Sequence, residues 1–318
     1  MVFDLGREYW RCKSRIMIVA NQENIKVHFA GLENQDFAQV LHECGGINYS
    51  LFTVFPFIAN EVGIKPLKMT TCTIQSPIYL QKASRHTIMD SGLFTLMFGA
   101  HAGQRDYKFI DKWYNLIVEF VLKNQYNKTV VEVDCQKILG VEKAWEFREQ
   151  MKIDLPNNRQ INVFHKEDGQ KGLDRMIEFS DYIAISVPEL RALGQKNYTT
   201  KLAYYIKNKK PSIDIHLLGC TESKLLKELN FCSSSDSTSW QQVNRYGVLI
   251  YNDGVKQYKT KNSLINNDAL NIRYKKDISR ILIKWMEVTE KRLDYYSKYA
   301  LAAELLKKQY SIYAGSQD

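Results

Sequence analysis

Three aspartates stand where short apolar runs give way to polar sequence. Asp90 opens Asp90-Ser91-Gly92 after His86–Met89, Asp134 follows Val130–Val133, and Asp236 opens Asp236-Ser237-Thr238-Ser239-Trp240 after Phe231–Ser235. A carboxylate at the end of a buried strand is poorly hydrated, so it needs a partner or a task. One such aspartate reads equally well as a helix N-cap or a turn residue. Three that converge could share the roles of nucleophile, general acid/base and substrate acceptor. His165 and His216 also close apolar runs. Each is either a packed histidine or a pocket residue, and His165, as the last residue of its run, is the better pocket candidate. His28 reads as structural. Gly99–Gly103, with His101, reads as a loop after Asp90 that either covers the pocket or simply connects.

These residues need a scaffold that brings distant stretches together. Eight short runs rich in Val, Ile and Phe read as buried parallel strands: Lys26–Ala30, Ile47–Val54, His86–Met89, Val130–Val133, Ile161–Phe164, Tyr182–Ser186, Ile213–Leu218 and Phe231–Ser235. Helical segments lie between them. Asp106–Lys123 carries Phe109, Trp113, Leu116, Ile117 and Phe120 at helical spacing. Lys143–Met151, Gly172–Phe179, Pro188–Leu193, Thr199–Lys207 and Ser223–Leu229 fit the later gaps. This alternation predicts an α/β fold, a closed (β/α)8 TIM barrel, with an open doubly wound sheet as the alternative. In such a barrel the chemistry gathers at the carboxyl ends of the strands, where all three aspartates fall.

The 318 residues are read as one TIM-barrel domain, with the barrel over about 20–240 and an extension over about 241–318. Within the extension, Gly247–Lys259 reads as a β-hairpin turning at Asp253-Gly254. Asp277 to about Tyr310 reads as helical, with an apolar stripe of Ile278, Ile281, Leu282, Trp285 and Val288. Tyr295, Tyr296 and Tyr299 on this helix either stack on bases or, as expected, pack on the barrel.

Net charge is +9, and between Lys256 and Tyr310 thirteen Lys or Arg face six Asp or Glu. A basic excess points to a polyanionic partner. Lys207, Lys209 and Lys210, with Lys275 and Lys276, are the clusters that could contact phosphates; a solvated face is the plain alternative. Six cysteines show no CxxC or CxC spacing, so no metal site is expected and the thiols read as free. The apolar run Ile16–Ala20 is too short for a leader or a span, which predicts no membrane association and a cytoplasmic location.

The chain resembles the guanine transglycosylases. Asp90-Ser91-Gly92-Leu93-Phe94 is similar to their DSGGFQ segment. Asp236-Ser237-Thr238-Ser239-Trp240, followed by the hairpin, is similar to the nucleophile segment of the archaeal-type enzymes. Val131-Glu132-Val133-Asp134 is similar to the strand whose final Asp reads the base, and His216-Leu217-Leu218-Gly219 to a segment near the seventh strand. The departures are Leu93 and Thr95 in the first motif, His165-Lys166 where the family has glutamine, and Ser186-Val187 in place of a glycine pair. The CxCxxC…H zinc motif and the added RNA-binding domain of the tRNA enzymes have no counterpart. The likeness is therefore closest to the shortened, phage-type DpdA-like DNA-guanine transglycosylases, for which the location would be the host cytoplasm.

The resemblance implies exchange of guanine in DNA for a 7-deazaguanine such as preQ0. Asp236 would be the nucleophile on C1′ and Asp90 the general acid/base. Asp134, Ser91, Gly92, His165, Ser186, His216, Gly219 and Ser237 would form the base pocket. No cofactor is needed for the bond swap. The expected partners are DNA, with tRNA as the alternative, and the free base; a homodimer is compatible with the sequence. The rival readings are a tRNA-guanine transglycosylase of archaeal type, a nucleoside or glycoside hydrolase, and a non-catalytic nucleic-acid-binding barrel.

Overall fold

The structure is a computed structural model that describes residues 25–33, 38, 42, 48–64, 75–93, 106–194, 197–238, 249–252 and 257–260. Eight parallel strands close into one barrel in chain order. They are β1 (Lys26–Ala30), β2 (Tyr49–Thr53), β3 (His86–Asp90), β4 (Thr129–Val131), β5 (Gln160–Phe164), β6 (Tyr182–Ser186), β7 (Asp214–Leu218) and β8 (Ser234–Ser237). Closure comes from β1 pairing with both β2 and β8, with His28 in register with Asp236. The fold is therefore a (β/α)8 TIM barrel, and the open-sheet alternative is excluded.

The strands alternate between two cores. Outward residues such as Phe29, Phe52, Met89, Val130, Phe164, Ile183 and Ile215 join the helices in the main apolar cluster. A second cluster of Ala30, Leu51, Ile88, Val131, Ile161, Val163, Tyr182 and Ala184 fills the barrel interior. Each fully buried aliphatic or aromatic side chain contributes roughly 1.5–3 kcal/mol, so these two layers hold the mouth residues in place.

The helix Tyr107–Lys123 begins at Asp106, whose Oδ1 accepts the Phe109 N–H at 2.8 Å, a side-chain N-cap. It buries Ile110, Trp113, Tyr114, Ile117, Phe120 and Val121. Trp113 Nε1 donates to the Ser91 carbonyl at 2.9 Å, tying this helix to the Asp90 loop. Other helices run over Gln75–Ala83, Gln136–Leu139, Val141–Asp154, Gly169–Phe179, Val187–Ala192, Tyr198–Lys209 and Ser223–Glu228. The first two of these were not anticipated, nor was the short helix Phe55–Ile58.

Several strand boundaries shift: the second is Tyr49–Thr53 rather than Ile47–Val54, the third takes in Asp90, and the fourth is Thr129–Val131 rather than Val130–Val133. The eighth strand is Ser234–Ser237, not Phe231–Ser235, so Asp236 lies inside the strand. A run of Ser-Ser-Asp-Ser carries no apolar signal, while the preceding Phe231-Cys232 does, and that pulls a sequence reading toward the amino end. Beyond the barrel, β9 (Leu249–Asn252) and β10 (Gln257–Thr260) pair antiparallel, as the hairpin reading expects. The loop at Gly99–Gly103 and the helix expected over Asp277–Tyr310 lie outside the described residues, as do Lys275 and Lys276.

Candidate active site

The barrel brings Asp90, Asp134 and Asp236 to one mouth. Asp90 is the last residue of β3 and pairs in register with Thr53 at the end of β2. Its Oδ2 accepts the Gly92 N–H at 2.9 Å, and the Thr53 side chain also hydrogen-bonds to it. Burial pushes the Asp90 carboxyl up to about 7; the charges of Asp134 and Asp236 push the same way, and the Gly92 and Thr53 hydrogen bonds oppose. Two carboxylates acting on a third show that the three share one electrostatic environment.

Gly92 is required by this turn. Its φ is +74°, and a Cβ there would lie 2.8 Å from Phe55 Cβ and 2.9 Å from Thr53 Oγ1. Ser91 is buried, and its Oγ accepts the Leu93 N–H at 3.4 Å. Its hydroxyl thus braces the turn.

Asp134 follows β4 and accepts from His165 Nε2 at 2.9 Å. His165 Nδ1 lies 2.7 Å from Glu189 Oε2, and Glu189 Oε1 is 2.7 Å from Lys137 Nζ. Burial alone would push His165 down, but its hydrogen bonds to Asp134 and Glu189, and their charges, raise it to about 10. His165 is therefore an imidazolium at neutral pH, and it bridges two carboxylates. It stands just past β5, where its backbone N–H donates to Asp168 Oδ2 at 2.9 Å. Glu189 is displaced below the ordinary carboxylate range: burial opposes this, and His165 and Lys137 outweigh burial. Glu189 and Lys137 escaped the sequence reading because their charges sit on helices among many others of the same type.

Asp236 points inward from β8 and is 8% exposed. Its Oδ1 accepts the Gly219 N–H at 2.8 Å and lies 3.2 Å from His216 Nε2. Gly219 reaches this position at φ +60°, where a Cβ would lie 2.8 Å from Pro188 Cγ. His216 was expected to line the pocket, yet it is fully buried and stands behind Asp236. Its Nδ1 is 2.5 Å from Ser234 Oγ, and Ser234 hydrogen-bonds in turn to the Tyr182 hydroxyl. Ser186 and Ser237 close β6 and β8 at the same rim, both half-buried.

The lysine cluster sits elsewhere. Lys207 Nζ donates to the carbonyls of Pro211 and Ile213, at 3.2 and 2.6 Å. Lys210 Nζ donates to those of Ile177 and Ser180, at 3.2 and 2.6 Å. These carbonyls precede β7 and β6, so both cations lie at the amino ends of the strands, opposite the aspartates. The helix Tyr198–Lys209 runs back down the barrel wall, and its last turn necessarily arrives there. Lys209 joins them and lies 5.4 Å from the Tyr205 ring centroid.

Among the described residues, His165, Glu167 and Glu189 bring one nitrogen and two carboxylate oxygens within 4.8 Å of one another. Both His165 ring nitrogens are already engaged by carboxylates and the Lys137 ammonium lies 2.7 Å from the second Glu189 oxygen, whereas Glu167 Oε2 is buried without a hydrogen-bond partner among the described residues.

Three carboxylates, one carried to near-neutral titration and one held by a backbone N–H with a histidine ring beside it, can support proton transfer and nucleophilic attack at one centre. Compared with models of known protein families and with curated proteins, the sequence matches none.

Proposed function

We propose that the chain is a DNA-guanine transglycosylase that replaces guanine with a 7-deazaguanine base. The observation that carries this reading is the joint effect of Asp134 and Asp236 on Asp90. A proton donor and acceptor working near pH 7 sits beside two further carboxylates at the barrel mouth.

A guanine extruded from the stack exposes its glycosidic bond at a cost of a few kcal/mol. Asp236 Oδ2 has no partner among the described residues, and it attacks C1′ while Oδ1 is held by Gly219 and faces His216. The C1′–N9 bond breaks, an aspartyl–sugar ester forms, and Asp90 gives its proton to the departing guanine. A carboxylate suits an oxocarbenium-like transition state, as in retaining glycoside hydrolysis. The incoming base then gives its N9 proton to Asp90, N9 attacks C1′, and Asp236 leaves. Asp134 accepts from the N1–H and 2-amino groups that guanine and its 7-deaza analogues share, and the His165 imidazolium helps keep that carboxylate an acceptor.

Preference for DNA over tRNA is supported by the cysteines, whose spacing provides no CxCxxC pattern. The test is mass spectrometry of nucleosides from duplex DNA and from tRNA after incubation with the protein and preQ0. The modified deoxynucleoside is expected. Modified tRNA alone would move the activity to the other polymer, free guanine without incorporation would mark a hydrolase, and no change in either polymer would refute the reading.

A further inference from the structure

We infer that Tyr182, Ser234 and His216 form a one-directional hydrogen-bond relay that presents Asp236 with a neutral imidazole N–H and so fixes which of its oxygens attacks. The inference rests on the nucleophile assigned to Asp236 above. Tyr182 and Ser234 enter it as positioning residues, since neither reaches the mouth.

The three residues project into the barrel from β6, β8 and β7 and are buried at 3%, 2% and 0% exposure. His216 Nε2 faces Asp236 Oδ1 at 3.2 Å and Nδ1 faces Ser234 Oγ at 2.5 Å, while the Tyr182 hydroxyl completes the chain at Ser234. The serine, histidine and aspartate follow the order of a hydrolytic triad, but the serine hydroxyl is sealed inside the barrel, where no substrate carbon can reach it.

Hydrogen-bond accounting selects the direction. An ionised Asp236 only accepts, so Nε2 must donate. If Nδ1 also carried a proton, it would donate to Ser234, and the Ser234 hydroxyl would turn to donate to Tyr182. The phenol proton would then have no acceptor among the described residues. With Nδ1 bare, the phenol donates to Ser234 Oγ, Ser234 donates to Nδ1, Nε2–H donates to Asp236, and every donor is satisfied. A buried hydroxyl without an acceptor costs about as much as a lost hydrogen bond, so the second arrangement is the stable one. The hydrogen bond at one ring nitrogen thus sets the state of the other.

The titratable groups facing this ring are Asp236 from β8, Tyr182 from β6, His28 from β1 and His86 from β3. The His28 ring centroid is 6.1 Å away. Burial holds His28 well below its ordinary value and His86 at about 4, so both are neutral near pH 7. Burial lifts the Tyr182 phenol, which keeps its proton. Asp236 is then the group that draws a second proton toward His216, and the relay leaves that proton no place. Two donors, Gly219 N–H and His216 Nε2–H, fall on Oδ1, which leaves Oδ2 to bond C1′.

The experiment is nitrogen-15 NMR of histidine-labelled, full-length protein across neutral pH, paired with base-exchange kinetics. In the unaltered protein His216 is expected as the Nε2–H tautomer, with Nδ1 showing the shift of a hydrogen-bond acceptor. Tyr182→Phe leaves Ser234 able to donate to Nδ1, so the Nε2–H tautomer is expected to persist. Ser234→Ala strips Nδ1 of its donor: the Nδ1 nitrogen-15 shift is expected to move, and kcat to fall about tenfold with KM retained, as Asp236 loses a fixed partner. An imidazolium or an Nδ1–H tautomer in the unaltered protein at neutral pH, or a Ser234→Ala spectrum identical to that of the unaltered protein, overturns the relay. Asp236→Ala separates the two claims: exchange that survives it removes the nucleophile assignment, whereas the His216 spectrum of the unaltered protein reports the relay independently.

Discussion

Asp90→Asn should stabilise the protein, and the gain should grow with pH. Folding carries the Asp90 carboxyl from 3.8 to about 7. Between these values the folded state holds a proton that the unfolded chain has released, so stability falls as pH rises and then levels off above about 7. A displacement of that size corresponds to roughly 4 kcal/mol, at 1.36 kcal/mol per tenfold change in proton affinity. Residual exposure at the mouth screens the group and brings the expected effect to about 2–3 kcal/mol. Asparagine keeps the shape and removes the charge. Urea unfolding of both proteins from about pH 4 to pH 8 should give curves that coincide at the acid end and separate at the alkaline end. The same pair should differ by about 4–6 °C in Tm near pH 8. Repeating the series with Asp236→Asn tests the coupling, since removing that charge should lower the Asp90 titration and shrink the separation. A difference independent of pH, or one that narrows as pH rises, would refute the account of Asp90 and remove its claim to be the proton carrier.

Three further outcomes follow from the geometry. Glu189→Gln deprives His165 of one of its two carboxylates, so its titration, read by NMR, should fall from about 10, and KM for the free base should rise about tenfold as Asp134 loses a fixed partner. In the unaltered protein the stability that His165 contributes is complete below its ordinary value of 6.5 and is lost as pH climbs through about 10, so Glu189→Gln should flatten that alkaline loss. Gly219→Ala should cost about 1–3 kcal/mol in urea unfolding, because it combines a positive φ with a collision at Pro188, and exchange should fall with it as the strained backbone shifts its N–H away from Asp236. Glu132→Ala should cost about 3–5 kcal/mol in the same assay, since Arg148 would be left charged and buried without its partner.

The alternation of apolar runs and helices was legible because β4, β5 and β6 are buried on both faces and so carry Val, Ile, Ala or Phe at most positions. The aspartates were legible because a carboxylate next to such a run is conspicuous. What escaped has a common cause. Glu132 with Arg148, His28 with His86, and Tyr182 with Ser234 are pairs made by packing between strands, or between a strand and a helix, and no local spacing announces them. The helix Gln75–Ala83 was missed because only Ser76, Pro77 and Leu80 are buried in it, a face too narrow for a periodic signal. His216 takes the packed, hydrogen-bonded one of its two readings; sequence places a residue on a strand but does not show how deep in the barrel its ring ends.

The anchored ammonium groups of Lys207 and Lys210 bear on how a polyanion could approach. Both donate to loop carbonyls at the floor, so two of the positive charges behind the formal +9 are held far from the opening. At the opening, His165 and Lys137 roughly cancel the carboxylates beside them. Overall basicity is thus a poor compass for docking. On the proposed reading, a nucleic-acid strand would present its base to this opening and keep its phosphates on the outer lip.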